Sequence, residues 1–319
     1  AALYLKGHSE GEFVWDYVWA DVAGQLGTKY YPKLVGMSPA TPAVGYRFLT
    51  HPDEDDEALT AVMLKQIGEL AEEYGVSGVQ FNFVDPRWQA AVDRLGYIAW
   101  EHQSYLWENE AFDSFDDYLS VFTKNQRKNI RKERRSMEEQ GLTLRALTGS
   151  DIPDSHFELM WRYYEKTNDQ FGPWAAKYLN REFFLGLAPR FRHRLLFIAA
   201  YDGGDPDPVA LSFLLWKDDQ LIGRYWGAAQ YYDNLHFNAC YYAPIQWAIE
   251  RGIRYFDPGA GSPHKIRRGF RAVSNHSLHR FVDGRMQAVM KNNIETVNGM
   301  ARRQIRELNQ GLPFKQERL

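Results

Sequence analysis

The 319 residues contain a single cysteine, Cys240. An intrachain disulfide is therefore impossible, and zinc sites that need two or four cysteines are excluded. Long hydrophobic runs are missing as well: no apolar stretch approaches the roughly 20 residues that span a bilayer. No secretory leader is expected. Together with the cysteine usage, this leads to the expectation of a soluble, cytoplasmic protein. The chain has no G-x-S-x-G and no Walker-type glycine pattern, so neither motif supplies a rival enzyme class. It begins Ala1-Ala2-Leu3-Tyr4-Leu5, without Met and as though inside a strand, so the first domain is expected to be N-terminally incomplete.

Aromatic residues are plentiful: 10 Trp, 19 Tyr and 19 Phe in a chain that is 45% hydrophobic, enough for two cores. Charge is unevenly placed. Lys124 to Arg135, KNQRKNIRKERR, sets seven cations against the carboxylate of Glu133; this balance of +6 leaves −9 for the rest of a chain whose net charge is −3. At helical spacing Arg127, Arg131 and Arg135 share one stripe, and Lys124, Lys128 and Lys132 another. Like charges so crowded repel, so such a helix either meets an anion or is a solvated connector. It lacks the wide apolar face of a membrane-surface helix.

The densest signal runs from His236 to Arg271, HFNACYYAPIQWAIERGIRYFDPGAGSPHKIRRGFR. Gly252 stops a helix, Arg254-Tyr255-Phe256 reads as a short strand, and Asp257-Pro258-Gly259 breaks it. The loop Gly259-Ala260-Gly261-Ser262-Pro263 leads into His264, Lys265, Arg267, Arg268 and Arg271. Titratable and cationic groups beside a glycine-rich backbone suit the binding and polarising of an anionic or carbonyl-bearing ligand; a solvated basic turn is the plain alternative. A similar order occurs between Ala58 and His102: a helix ending at Gly75, a strand from Gly78 to Val84, Asp85-Pro86, then Gly96. Duplication explains the similarity, with chance as its competitor.

Secondary-structure patterning places strands near Leu3, at Val14 to Trp19, Tyr31 to Val35 and Gly45 to Leu49, then a helix from about Asp56 to Glu73. A helix from about Ser114 to Gln140 bridges to a strand at Leu142 to Leu147 and two helices. The strands Leu195 to Tyr201, Pro208 to Lys217 and Gln220 to Trp226 form a meander. A helix, a short strand, a strand near Leu278 to Val282 and a terminal helix from about Arg285 complete the chain. Antiparallel strands followed by a helix and a further strand make the class α+β.

The meander, the strand end Gly-Arg-Tyr-Trp-Gly-Ala, and the helix, strand and basic turn that follow resemble a GNAT-type acyltransferase domain. HFNACYYAPIQWAIERGIRYFDPGAGSPHKIRRGF, with the basic run Asn125 to Lys132, resembles the FemAB-like predicted N-acyltransferases of peptidoglycan biosynthesis or recognition, over nearly the whole chain. The resemblance implies two GNAT-like domains with antiparallel or mixed central sheets: residues 1–110, then residues 111–319 opened by the basic helix 114–140 and carrying the site. One departure is Asn238, where the family's His-Phe-Glu pattern has Glu.

Acyl transfer to an amine needs a neutral nucleophile, a polarised carbonyl and a path for the proton. His236 and His264 exchange protons near neutral pH unless they serve as ordinary hydrogen-bonding residues. Lys265 resembles the oxyanion-stabilising lysine of the FemABX FK-x-x-F-G-like segment. Asp257 can orient a histidine or take a proton. Arg268 can grip a phosphate or carboxylate, with Arg127, Arg131 and Arg271 as further cations. Tyr225, Tyr241 and Tyr242 can donate to a leaving group or pack in the core. His276-x-x-His279 is too thin for a metal site, so none is expected.

No tightly bound cofactor is expected. The co-substrate is an acyl donor, either acyl-CoA or aminoacyl-tRNA. The acceptor is an amine on a small molecule or cell-wall precursor. Ala228 to Asn234, where GNAT enzymes carry a glycine-rich pyrophosphate loop, contains no glycine, which weakens the case for a conventional CoA pocket. The non-enzymatic alternative is a module that grips an anionic polymer or nucleic acid through the basic helix.

Overall fold

The computed structural model describes residues 1–172, 175–261 and 263–315. The chain begins with β1 (Leu3–Lys6), α1 (Tyr17–Gln25), β2 (Lys33–Gly36), α2 (Asp56–Glu73), β3 (Gly78–Phe81), α3 (Pro86–Val92) and β4 (Ile98–Glu108). Next come α4 (Phe115–Ser120), α5 (Lys124–Glu139), β5 (Leu142–Thr148), α6 (Ser155–Asp169), α7 (Arg181–Phe191), β6 (Leu195–Asp202), β7 (Ala210–Lys217) and β8 (Gln220–Ala228). It ends with α8 (Leu235–Phe237), a π-helical turn (Asn238–Tyr242), α9 (Ala243–Glu250), β9 (Tyr255–Asp257), a 3-10 turn (Pro263–Arg268), β10 (Arg271–Phe281) and α10 (Gly284–Gln310).

Contacts divide the chain into two units. The first is Ala1–Ser104 with Val273–Glu307; the second is Tyr105–Ala272 with the residues from Leu308 onward. The expected second domain, 111–319, thus gives up residues 273–307. The physical reason is strand pairing. β10 lies antiparallel to β3, with Leu278 opposite Phe81, and Met286 and Met290 of α10 bury against Trp19, Ile98 and Trp100. The two long strands pass from one unit into the other along the chain, β4 after Ser104 and β10 after Ala272.

Within the first unit the strand order is β1-β2-β3-β10-β4, with β2 and β3 parallel. Its larger apolar cluster packs Phe48, Phe81 and Trp88 edge to face, together with Leu64, Ile67 and Ala71 of α2. In the second unit the order is β4-β9-β8-β7-β6-β5, and only β8 and β9 are parallel. Phe157, Phe184, Phe197 and Phe213 fill the core between this sheet and α6 and α7.

Three expected elements differ. Val14 to Trp19 reads as a strand because of its aromatic and β-branched residues, but the chain turns helical at Tyr17. Trp19 and Ala23, one helical turn apart, then bury together, which a strand would not allow. Gly45 to Leu49 is reduced to a single bridge, Tyr46 to Val84. The helix expected over 114–140 is two helices, α4 and α5. The break buries Phe122 against Tyr118 and Phe314, and Arg127 donates to the carbonyls of Ser120 and Phe122 there. The repeated order of helix, glycine, strand, Asp-Pro, turn, glycine and long strand holds in both places. Gly75 and Gly252 take left-handed φ of 61° and 66° as helix stops, and β4 and β10 are 11 residues each.

Gly227 lets α6 approach β8. A Cβ there would lie 2.4 Å from the Tyr163 carbonyl oxygen. Gly227→Ala should cost about 1–3 kcal/mol in urea unfolding through overpacking. Gly24→Ala, in α1 with nothing within 4 Å, should gain about 0.5–1 kcal/mol.

Candidate active site

The site grows from a split in the second unit's sheet. β8 and β9 pair in parallel only from Gln220–Tyr255 to Ile222–Asp257, while β8 runs on to Ala228. Where they part, the chain after Asp257 turns away. Gly223 and Gly259 lie so close that a Cβ on Gly259 would sit 2.9 Å from the Gly223 carbonyl oxygen. Asp257 holds this turn by accepting from Gly259 N–H at 2.8 Å. Such an opening at the carboxyl end of a parallel strand is a common place for ligands.

Lys265, from the 3-10 turn, reaches into the loop and is only 1% exposed. Its ammonium donates to the carbonyls of Gly259 at 2.7 Å and Ala260 at 2.9 Å and lies 5.4 Å over the Tyr105 ring. Burial lowers its pKa to about 8, partly offset by Asp257 and Cys240. Burial raises Asp257 to about 6, against the Gly259 hydrogen bond and the charges of Lys265 and Arg224. An acid and a base with displaced pKa values acting on one another mark a place equipped for proton transfer. Cys240 is neighbour to both Ser212 and Lys265, and burial pushes its thiol up to about 12.

His264 and His236 are brought to the same place. The His264 Nε2 atom and Tyr241 hydroxyl are 3.0 Å apart, and the two imidazole centroids 6.0 Å. Trp226 and Tyr241 flank His236, each 5.4 Å from it between ring centroids. The expectation of proton exchange near neutral pH needs correcting for His236. Burial and then the charges of His264, Arg268 and Lys265 lower His236 to about 4, and burial, Arg268 and Lys265 also lower His264. Both are therefore neutral rings around pH 7.

Of the two roles expected for Tyr225, it takes the core one. β8 alternates its faces, so Trp226 meets His236 while Tyr225 packs into the α6 and α7 core, stacked on Phe213 and edge-on to Tyr164. Its hydroxyl accepts from Arg224 at 3.0 Å.

The expected ligand-gripping arginines have other partners. Arg268, 4% exposed, pairs with Glu133 at 3.0 Å, donates to the His264 carbonyl at 3.0 Å, and lies 3.4 Å over the Phe237 ring. Tyr242 donates to the same Glu133 oxygen, so this tyrosine is committed to the pair. Arg271 pairs with Glu110 at 3.3 Å and covers Phe314. Arg127 caps the break after α4, and Arg131 pairs with Asp116 at 3.1 Å. Arg131, Arg134 and Arg135 line a groove of about 930 Å³ in this unit. Asn238, buried, donates to the carbonyls of Glu133 and Asn234.

Glu133 and Arg134 were not singled out by the charge stripes. The signal was the buried stripe of Gln126, Ile130 and Met137, which brings Glu133 and Arg134 to the inner side of α5. Arg134 stacks over Phe115 at 4.0 Å and donates to Gln246 at 2.7 Å.

The profile of the FemAB-like family, described as peptidoglycan biosynthesis/recognition, matches residues 1–316. The chain belongs to the FemAB-like family. Among solved structures, L-PGS from Bacillus licheniformis is similar at a TM-score of 0.52 and 13% identity, over 83% of each chain. FemX is similar at a TM-score of 0.49 and 9% identity, over 86% of this chain and 92% of that one. A tandem GNAT protein from the clavulanic acid biosynthesis pathway is similar at 0.41 and 10% identity, over 80% and 76%. A search of curated proteins returns no match. The expected α+β class holds for this FemAB-like chain. Among the described residues, no helix is long and apolar enough to cross a membrane.

Removing one partner of a buried pair strands the other charge. Glu133→Ala should therefore destabilise the protein by about 3 kcal/mol, and Arg131→Ala, at an exposed pair, by less than about 1 kcal/mol. Urea unfolding of both variants checks the contrast.

Proposed function

We propose that this FemAB-like protein transfers an acyl or aminoacyl group to an amine acceptor linked to peptidoglycan precursors, using the second unit. The observation that carries this reading is the Asp257–Lys265 pair at the parting of β8 and β9. With pKa values of about 6 and about 8, Asp257 is mainly ionised and Lys265 mainly protonated near neutral pH. The acceptor nitrogen attacks the acyl carbonyl carbon, and Asp257 takes the N–H proton. The Lys265 ammonium has three donors, two of them given to Gly259 and Ala260; the third faces the developing oxyanion. The bond from the carbonyl carbon to the donor's oxygen or sulfur then breaks, and the leaving atom receives the proton that Asp257 took, which returns Asp257 to its ionised form. His264, Tyr241 and His236 form a neutral wall that limits water around the reacting centre.

The donor is better matched by an aminoacyl ester than by acetyl-CoA. In the loop after β8, the Asp233 N–H donates to the Gln140 side chain at 2.9 Å and the Asp233 carbonyl accepts from it at 3.0 Å. A pyrophosphate seeking that backbone N–H finds it occupied. The exposed lysines 124, 128 and 132 on α5 offer an electrostatic track for a polyanion such as tRNA. The same lysines favour the second reading, a recognition module without catalysis.

The pH profile of kcat/KM should rise through about 6, as Asp257 ionises, and fall above about 8, as Lys265 deprotonates. Asp257→Asn keeps an acceptor for Gly259 N–H but removes the base. It should lower kcat by about 10³-fold and abolish the acidic limb, with little change in unfolding midpoint. An unchanged profile would remove Asp257 from the mechanism.

Titration with acetyl-CoA and aminoacyl-tRNA at two salt concentrations separates the donors. Weak acetyl-CoA binding and steeply salt-dependent tRNA binding are expected. Micromolar, salt-tolerant acetyl-CoA binding would reverse the donor assignment, and polyanion binding without turnover of either donor would establish the recognition module.

A further inference from the structure

β5 is the last strand of the second unit's sheet, so one of its edges has no strand beside it. The direction of that edge follows from the ladder. Gly203 N–H donates to the Gly141 carbonyl, and the Ala200 carbonyl is turned to Val209 of the next strand. With Leu142 opposite Asp202, the hydrogen-bonded partners of β5 on β6 are then Thr143, Arg145 and Leu147. The N–H and C=O groups of Leu144 and Ala146 point the other way, to the open edge, and no hydrogen bond among the described residues satisfies them. That edge is one wall of the 930 Å³ groove. All five residues from Leu142 to Ala146 line it, whereas a wall made by a sheet face would show only alternate residues. The facing walls come from Phe115 of α4, from α5 and from Trp247 of α9.

We propose that this groove takes an extended acidic segment of a partner protein as an added strand beside β5. Unsatisfied edge amides next to a groove are the requirement for strand addition, in which main-chain bonds supply affinity and alternate side chains supply specificity. The groove sets the side-chain pattern. Leu142, Leu144 and Ala146 share one face of β5 with Trp247 and Phe115 nearby, so alternate residues of the segment are apolar. Arg145 lies on the other face, and Arg135 stands on α5; neither has an ion-pair partner among the described residues. The acids in the lining are less available to oppose them: Asp116 pairs with Arg131, and Glu250 accepts from Gln246 at 2.9 Å, which leaves Glu138. Acidic residues at the remaining positions of the segment complement Arg145 and Arg135. β5 is seven residues long and offers about 23 Å of edge at roughly 3.3 Å per residue.

The probe is an acetylated, amidated heptapeptide alternating valine and glutamate, with a valine–lysine peptide as control. Hydrogen exchange should slow by about tenfold or more at the Leu144 and Ala146 amides with the acidic peptide and remain unchanged with the basic one. Ala146→Pro removes an N–H that points away from β6 and fits an edge strand. It should weaken the peptide's Kd at least about tenfold while leaving the thermal midpoint and the acyl-transfer rate unchanged. Arg145→Glu, a second variant that keeps every backbone group, should reverse the preference between the two peptides. Peptide binding with no protection at these two amides would overturn the proposal. So would equal affinity in the proline variant, or protection arising without peptide from a concentration-dependent dimer.

Discussion

The buried pair between Glu133 and Arg268 is the contact on which the candidate site depends. It joins α5, the π-helical turn through Tyr242, and the 3-10 turn that carries His264 and Lys265. Arg268 is nearly excluded from water, where an unpaired guanidinium would be costly. The stacking of Arg268 on Phe237 and its bond to the His264 carbonyl fix the turn's orientation. Lys265 then has one direction to take, toward Gly259 and Ala260. The basic run 124–135 is therefore anchored by its single acid, and its cations are divided among capping, an exposed ion pair, the groove and solvent.

The first unit also buries a lysine among carboxylates, with a different outcome. Lys33 donates to Ser9, Glu12 and Asp16 at 2.7, 2.9 and 2.5 Å, which uses all three of its donors. Lysine charge and hydrogen bonds overcome burial at Asp16 and lower its pKa, whereas burial wins at Glu12 and raises it. His102 and His279 share the Ser277 hydroxyl, and burial holds both at about 3. In this network all three lysine donors are taken by protein groups. Among the described residues Lys265 gives two of its three donors to protein acceptors, and Asp257 lies half-buried at a break in pairing. This contrast is what supports the proposal that the second unit carries the chemistry.

Asp85 and Asp257 hold matching places in the repeated order; Asp85 caps α3, and Asp257 holds the turn that follows it. Their environments separate them. Arg87 supplies hydrogen bonds and charge that outweigh burial and lower Asp85, whereas burial dominates at Asp257 and raises it to about 6. The same local motif thus gives a structural cap in one unit and a candidate base in the other.

Local sequence determined much of the molecule: α2 and α7, the β6–β8 meander, the glycine stops at Gly75 and Gly252, and the loop where Asp257, His264 and Lys265 meet. These features rest on period, capping and turn chemistry, which act over a few residues. Tertiary structure decided the rest because its causes lie far apart in the chain. Tyr225 and Trp226 took opposite faces of β8, and Arg268 found Glu133 across 135 positions. Burial, which no local pattern measures, made His236 a poor proton carrier and moved Asp257 and Lys265 toward neutrality. Long-range strand pairing returned residues 273–307 to the first unit and left β5 with an open edge.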